Sequence, residues 1–344
     1  MPTAPRTPSR FLMFAVFCAV FLAIAAVYVV RARVRSSAPP AGAASNAAPV
    51  VADSLTVLGD RPGFLFSSTA FDRTNGYLGV ESLGGSGTNR YETTLRCERV
   101  HFAREVGVCL TGERKAITTF AASFFGPDFK VRHTVPLVGT PSRARMSPDG
   151  RRAAVTVFVS GDSYNAAGFS TRTTLIDVQT GTVIADLETF AVTRDGKPFK
   201  SIDFNYWGVT YARDGNRFYA TLQSGGKNYL IEGDVDARTA RVLREGVECP
   251  SLSPDNTRIV FKARATAATW RLHLLDLATL RDAPLSETRS VDDQAEWLDD
   301  QTIAYGLPSE PIAAAGGDIW TLAVNGETPP KVLARKAYSP AAVH

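Results

Sequence analysis

The sequence predicts an all-β fold: a six-bladed β-propeller that follows a single N-terminal transmembrane helix. Three observations support the propeller. First, Ser147-Pro148-Asp149-Gly150 lies between two β-prone runs, where Pro148 favours a turn and Gly150 accepts a positive φ. Second, related turns place acidic residues at positions 105, 149, 214, 255 and 300, at steps of 44, 65, 41 and 45. Third, most of these turns are followed by a second, outer hairpin. A period in the low forties with four strands per period is typical of propeller blades.

Five full repeats and one partial repeat predict six blades. The full repeats span 96–137, 142–187, 207–243, 250–285 and 295–333. The partial repeat, between residues 63 and 95, supplies only three strands. The C-terminal run 338–343 resembles an inner strand and would complete that first blade, while residues 53–58 are the competing candidate. Closing the ring with both ends of the chain leaves no unpaired sheet edge.

One step of 65 residues is longer than the others because about 20 residues are inserted between the third and fourth blades. The insert contains the aromatic residues Phe190, Phe199, Phe204 and Tyr206. This is too many aromatic side chains for a solvated linker. The insert therefore forms either an additional hairpin around Asp195-Gly196 packed on the ring, or a cap over one face.

The N-terminus predicts a membrane anchor. Residues 11–30 are an uncharged run of 20, which as a helix spans about 30 Å, the thickness of a bilayer core. Arginines flank the run on both sides. A cleaved secretory signal is the alternative, but the run is longer than a typical signal core. We predict a tail at 1–10, an uncleaved signal-anchor helix at 11–30, a Pro/Ala-rich linker at 31–52, and the propeller at 53–344.

Charge and cysteines bear on location and partners. The net charge is +4, but residues 1–35 contribute five arginines and no acid, so the rest of the chain is almost neutral. A nearly neutral body gives no reason to expect a nucleic-acid partner. Cys97 and Cys109 flank a predicted hairpin turn and are close enough for a disulfide; the alternative is two buried thiols. A disulfide and the linker both favour a single-pass protein of the cell membrane with the propeller on the extracytoplasmic side.

The repeated tetrapeptides SPDG, ARDG, SPDN and LDDQ carry a family resemblance. Each stands between two β-runs and precedes an outer hairpin that contains an aspartate. With this spacing, residues 60–343 resemble the repeat of TolB-like propellers, which are related to WD-type repeats. The resemblance implies the fold and an extracytoplasmic role as a protein-binding platform. This chain lacks the α/β domain that precedes the propeller in TolB itself.

The polar residues do not predict catalysis. The four histidines have no metal-ligand spacing, and the chain contains no nucleophile elbow, P-loop or dinucleotide fingerprint. We therefore predict no enzyme, no cofactor and no metal. Asp292, Asp293 and Glu296 form the one tight acidic cluster; we interpret it as a solvated loop rather than a cation site.

Arg143 and Arg145 alternate onto one side of an inner strand, where they either line the channel opposite Glu98 or Glu296 or form an internal ion pair.

Loop length predicts which face of the ring binds. The SPDG-type turns share one face and are short, whereas the second-to-third strand loops and the 188–206 insert share the other face. Loops on a rigid scaffold commonly carry recognition. The candidate binding residues on that face are Asp162, Tyr164, Asn165, Phe199, Asp203, Tyr206 and Trp207. For Trp207, packing between blades is the favoured alternative.

These observations predict a non-catalytic, membrane-anchored platform that binds a protein or another component of the cell envelope. A propeller enzyme of lactonase or dehydrogenase type, with a cation at the channel mouth, is the alternative. A sensor whose propeller binds a small ligand is a third possibility.

Overall fold

The computed structural model describes residues 50–84, 90–114, 118–159, 170–309, 316–326 and 328–343, together with Ala19 and Phe21. The predicted tail, nearly all of the anchor helix 11–30 and most of the linker lie outside these residues. Within the described ranges, no helix is long and apolar enough to cross a membrane. The chain divides into residues 1–48 and 49–344, and the second unit contains the propeller.

The strands of the described ranges are numbered here in chain order. The first are β1 Val50–Val51, β2 Gly63–Ser68, β3 Tyr77–Ser82, β4 Tyr91–Arg96, β5 Arg99–Ala103, β6 Val106–Arg114, β7 Thr118–Phe125 and β8 Val131–Leu137. The next are β9 Thr140–Met146, β10 Arg152–Val159, β11 Ser170–Asp177, β12 Val183–Asp186, β13 Ala191–Arg194, β14 Lys197–Phe199, β15 Asn205–Tyr211, β16 Arg217–Ser224, β17 Lys227–Asp234 and β18 Thr239–Glu245. The last are β19 Glu248–Leu252, β20 Arg258–Arg264, β21 Trp270–Asp276, β22 Asp282–Pro284, β23 Glu296–Trp297, β24 Thr302–Pro308, β25 Gly317–Ala323, β26 Lys331–Ala334 and β27 Ala337–Val343.

These strands form six sheets, which confirms the all-β, six-bladed prediction. From the inner to the outer edge the blades are β27-β2-β3-β4-β1, β5 to β8, β9 to β12, β15-β16-β17-β18-β13-β14, β19 to β22, and β23 to β26. The four principal strands of each blade are antiparallel. Buried apolar residues of the described ranges form six clusters, one between each pair of neighbouring blades. Each sheet therefore buries both of its faces, and strands such as β15 and β19 are buried along their whole length.

The C-terminal strand closes the ring. β27 pairs antiparallel with β2 as the inner strand of blade one. The Ser339 hydroxyl accepts a hydrogen bond from the Val100 amide at 3.0 Å and so links this strand to blade two. The competing candidate, residues 53–58, instead contains a short 3-10 helix, Leu55–Leu58. β1 pairs in parallel with β4, so Val50 and Val51 belong to the propeller and not to the linker.

The insert forms an outer hairpin, the first of the two predicted alternatives. β13 and β14 pair across the Asp195-Gly196 turn, where both residues have positive φ, and β13 extends blade four by pairing in parallel with β18. Phe199 packs edge-on against Phe204, with ring centroids 5.0 Å apart, and against Tyr229 at 5.9 Å. The aromatic residues of the insert thus anchor it to the side of the ring.

The repeated turns share one hydrogen-bond pattern. In the turn after β9, the Ser147 hydroxyl donates to the Asp149 carboxylate at 2.5 Å, and the Arg151 amide donates to the same oxygen at 3.0 Å. Ser253 and Asp255 repeat the first of these bonds after β19. The aspartates therefore cap turns, as their position in the sequence predicts. We call the side of the ring that carries Ser147–Gly150 and Ser253–Asn256 the turn face, and the opposite side the loop face.

A disulfide joins Cys97, in the connection from blade one to blade two, to Cys109 in β6. Both cysteines are buried. The bond cross-links two positions that are 12 residues apart in the chain. It is the pairing that the sequence suggested, and it holds the first connection of the ring against the second strand of blade two.

Removing the disulfide tests its contribution to stability. A cross-link over so short a loop contributes about 3 kcal/mol by restricting the unfolded chain. We expect the double variant Cys97→Ala, Cys109→Ala to lose roughly this much free energy of unfolding in urea. Reduced wild-type protein should match it, and Cys249→Ala is the control. Equal stability of oxidised and reduced wild type would contradict the expectation.

Deleting the closing strand tests the ring. A chain ending at Lys336 lacks β27, which leaves the inner edge of β2 unpaired and uncovers Val100 and the apolar cluster around it. We expect this variant to show no cooperative thermal unfolding transition by circular dichroism. A variant that lacks only His344 should unfold like wild type. Cooperative unfolding of the longer truncation would show that β27 is dispensable.

Candidate functional site

One short segment, Gln294–Trp297, contacts the inner strands of all five other blades on the propeller axis. The Gln294 side-chain amide donates to the carbonyl oxygens of Val209 in blade four, at 3.1 Å, and Pro250 in blade five, at 2.7 Å. The Trp297 indole donates to the Ser251 carbonyl, also in blade five, at 2.9 Å.

The Glu296 carboxylate reaches the remaining three blades. It is hydrogen-bonded by the Arg145 guanidinium of blade three and, at 3.1 Å, by the Ala342 amide of blade one. The His101 Nε2 atom of blade two lies 3.4 Å from it. We refer to Gln294–Trp297 as the axial segment.

The axial segment holds a negative charge out of water. Burial opposes ionisation, but the charge of Arg145 and the hydrogen bonds from the His101 ring and the Ala342 amide prevail and lower the pKa of Glu296 to about 2. Burial lowers the pKa of His101. The Met146 amide donates to its Nδ1 atom at 3.1 Å, so Nε2 carries the proton that faces Glu296. The site is thus a structural ion pair of carboxylate and guanidinium, supported by a neutral imidazole.

The prediction of a solvated loop is therefore wrong for two of the three acidic residues, whereas Asp292 is exposed. Asp293 and Glu296 are buried, because each carboxylate has a cationic partner inside the channel. Asp293 lies 3.5 Å from Arg99, and Asp292 pairs with Lys262 at 2.5 Å. Among the described residues, no three His, Cys, Asp or Glu side chains form a group that could hold a metal ion. The predicted partners of Arg145 are Glu98 and Glu296, and Arg145 pairs with Glu296.

The ion pair lies at a narrow part of the channel, between two larger cavities. The space around Arg145, Asp293 and Ser339 has a volume of only 20 Å³, which is room for about one water molecule. The cavity on the turn face has a volume of 430 Å³, and the one on the loop face has a volume of 530 Å³. In the part of the chain that the structure describes, the channel therefore has two mouths with this narrow space between them.

The turn-face mouth is an apolar cup with cations at its rim. Its apolar lining comes from five blades: Phe102, Met146, Pro148, Tyr211, Leu252, Pro254 and Trp297. The Tyr211 hydroxyl is buried and has no hydrogen-bond partner among the described residues. Arg104 and Arg213 are exposed at the rim. The floor is the ion pair of Arg145 and Glu296.

The loop-face mouth is more strongly charged. Its basic residues are Arg99, Arg143, Lys262 and Arg264, and its acidic residues are Glu248 and Asp292. Phe158, Trp207, Trp270 and Tyr338 supply aromatic surface in the same cavity. The inner strands of blades four and five approach closely here, since a Cβ on Gly208 would lie 2.7 Å from the Cys249 Cα atom. Gly208, with φ of +65°, permits that contact.

Solved structures with the same architecture identify the fold. TolB from Acinetobacter baumannii superposes with a TM-score of 0.57 at 16% identity, covering 82% of this chain and 66% of that one. The fold is a TolB-like propeller. A chain of the nidogen/laminin complex matches with a TM-score of 0.53 at 12% identity, covering 82% of this chain and 98% of that one. No protein-family model and no curated protein matches the sequence. The coverage of 66% means that this chain spans slightly less than two thirds of the TolB chain.

The candidate binding residues of the loop face that the structure describes do not lie together. Asp162, Tyr164 and Asn165 lie outside the described residues. Phe199 is half-buried against the side of blade four, and Tyr206 is fully buried in the core between blades three and four.

Asp203 is engaged in the structure of its own loop. Its carboxylate accepts hydrogen bonds from the Ser224 hydroxyl and the Gly225 amide, both at 2.7 Å. Of the four described candidates, Trp207 alone lines an axial cavity. Sequence reasoning missed Tyr211, Leu252 and Trp297, because nothing in a strand pattern marks which buried residues meet at the axis.

Neutralising Glu296 tests the axial ion pair. Because the pKa of Glu296 is lowered by folding, its carboxylate stabilises the protein above the ordinary pKa of about 4.5, and this stabilisation is lost as the pH falls towards 2. We expect Glu296→Gln, which leaves Arg145 unpaired, to cost about 3–5 kcal/mol near neutral pH. The difference from wild type should shrink in acid.

Urea unfolding at a series of pH values measures this difference. Glu105→Gln, at an exposed position on the turn face, is the control. If the difference in the free energy of unfolding between Glu296→Gln and wild type stays constant from neutral pH to strong acid, an ionised Glu296 is not its source.

Proposed function

We propose that this protein is a non-catalytic binding platform, held at the membrane with its propeller on the extracytoplasmic side, and that the turn-face mouth receives an extended segment of a partner protein. The observation that carries the proposal is the apolar cup over a closed floor. A volume of 430 Å³ lies within the range of pockets that enclose a ligand, and its walls are chiefly apolar. A side chain that enters the cup replaces water on apolar surfaces, which favours binding.

The chemistry of the rim indicates what the segment carries. Arg104 and Arg213 have no carboxylate partner among the described residues, so the rim favours acidic side chains. The orphaned Tyr211 hydroxyl can form a hydrogen bond with the backbone of the segment. We infer an extended peptide with one large apolar side chain flanked by acidic residues.

The disulfide supports the extracytoplasmic part of the proposal. Disulfides persist in oxidising compartments and are rare in the cytosol. The bond between Cys97 and Cys109 is buried, so it serves the stability of the ring. The uncharged run 11–30 supplies the membrane anchor in this proposal.

Peptide selection tests the turn-face site directly. A library of random peptides is selected against the purified full-length chain, and affinities are measured by fluorescence anisotropy. We expect enriched peptides to combine an apolar residue with acidic neighbours. The double variant Arg104→Glu, Arg213→Glu should bind them at least about tenfold more weakly, because two attractive charge pairs become repulsive.

The matched control is Arg151→Glu, Arg281→Glu, which reverses two exposed arginines that do not line the mouth. It should bind the peptides like wild type. Equal affinity of the rim variant and wild type would overturn the choice of site. Stoichiometric calcium in the purified protein, together with failure to enrich any peptide, would favour the lactonase-type alternative instead.

A further inference from the structure

Among the residues that the structure describes, one cation of the loop-face mouth forms no direct ion pair, although the nearby carboxylates of Asp293 and Asp292 help to raise its pKa. Lys262 pairs with Asp292, and Arg264 donates to Glu248 at 2.8 Å. Arg99 lies 3.5 Å from Asp293. The fourth cation, Arg143, has no carboxylate within ion-pair distance among the described residues. Its guanidinium donates to backbone carbonyl oxygens only, those of Ser142 at 2.9 Å and Asp292 at 3.4 Å.

Two buried donors of this mouth also lack acceptors. The Arg143 Nε atom and the Trp270 Nε1 atom are both buried and have no hydrogen-bond partner within the part of the chain that the structure describes. They belong to blades three and five and line the same cavity. A buried donor without an acceptor costs free energy. Water can satisfy such donors, but water cannot neutralise the charge of Arg143.

The remaining walls are aromatic. Phe158, Trp207 and Tyr338 line the cavity together with Trp270, and the exposed fraction of Phe158 is 41%. The volume of 530 Å³ is sufficient for a small organic molecule. A bare ion would fill only a small part of this volume. The combination of aromatic walls with N–H donors in one cavity therefore selects a ligand with a flat apolar body and an acceptor group.

We propose that the loop-face mouth binds a small aromatic carboxylate, whose carboxyl group is held by Arg143 and by the indole N–H of Trp270. The guanidinium fork matches the geometry of a carboxylate. The four cations of this mouth face three carboxylates, those of Glu248, Asp292 and Asp293, so one positive charge remains, which favours a monocarboxylate over a phosphate dianion. The flat body of the ligand packs against the aromatic side chains. This site is distinct from the turn-face cup, because the two cavities share no lining residue and only a narrow space beside the axial ion pair lies between them.

Titration of the full-length chain with naphthoate tests the proposal. Binding is measured by isothermal titration calorimetry and by quenching of tryptophan fluorescence. We expect one naphthoate per chain. Naphthalenemethanol, which has the same flat body without the carboxylate, should bind at least about tenfold more weakly, as the loss of a charged hydrogen bond requires. Glucuronate and inorganic phosphate test a non-aromatic acid and a bare anion, and both should bind more weakly than naphthoate.

Variants assign the binding to the two donors. Arg143→Gln should weaken naphthoate binding by about tenfold or more, and Arg143→Lys should restore part of it. Trp270→Phe keeps an aromatic ring but removes the N–H donor, and it should weaken binding several-fold. Arg213→Gln, at the turn-face mouth, is the matched control and should bind naphthoate like wild type. Thermal unfolding of each variant verifies that it is folded.

Four outcomes would overturn the proposal: no saturable binding of naphthoate, equal binding of its alcohol analogue, preferential binding of glucuronate or phosphate, or unchanged affinity of both Arg143→Gln and Trp270→Phe. If Arg143→Gln fails to fold, Trp270→Phe decides alone. The result is also separable from the proposed peptide site. Peptides selected at the turn face should bind Arg143→Gln like wild type, so either site can fail without the other.

Discussion

The buried carboxylate of Glu296 is the interaction on which the rest of this propeller depends. It receives hydrogen bonds or close contacts from Arg145, His101 and the Ala342 amide, while Gln294 in the same segment reaches two further blades. A charge removed from water is costly unless partners surround it. Here the partners come from different inner strands, so the carboxylate is satisfied only when the ring is assembled. The polar centre thereby favours one arrangement of the blades over others that would bury a similar apolar area.

The same interaction divides the channel into two mouths of different chemistry. On the turn face, the walls above the ion pair are apolar, and the cations lie at the rim in contact with solvent. On the loop face, Arg264 is exposed, but Lys262 is buried and Arg143 is half-buried, and the latter two lie close to an aromatic ring and to backbone carbonyl oxygens. An apolar cup with a charged rim suits a peptide side chain. A charged cavity with aromatic walls suits a small acid. Two ligands could therefore be bound at once on opposite faces.

Ring closure and the turn-face site are coupled through β27. Ala342 of this strand lines the turn-face mouth and also donates to Glu296. The strand comes from the C-terminus, whereas its partner β2 lies near the start of the propeller. The mouth is thus complete only when both ends of the chain have met. Because β27 completes the ring, the inner strands can present side chains from several blades in fixed positions.

The sequence by itself determined the blade plan, because turns and strand periodicity are local: Asp149 and Asp255 cap their turns within a few residues, and the repeat spacing counts the blades. It also indicated the closing strand, the hairpin at Asp195-Gly196 and the cysteine pair. Only the tertiary structure decided the sites. Tyr206 has the composition of an interface residue but is packed in the core, and Glu296 resembles a solvated acid but is enclosed. The physical reason is that burial, charge pairing and cavity walls arise where distant inner strands converge on the axis, and no local pattern records which residues meet there.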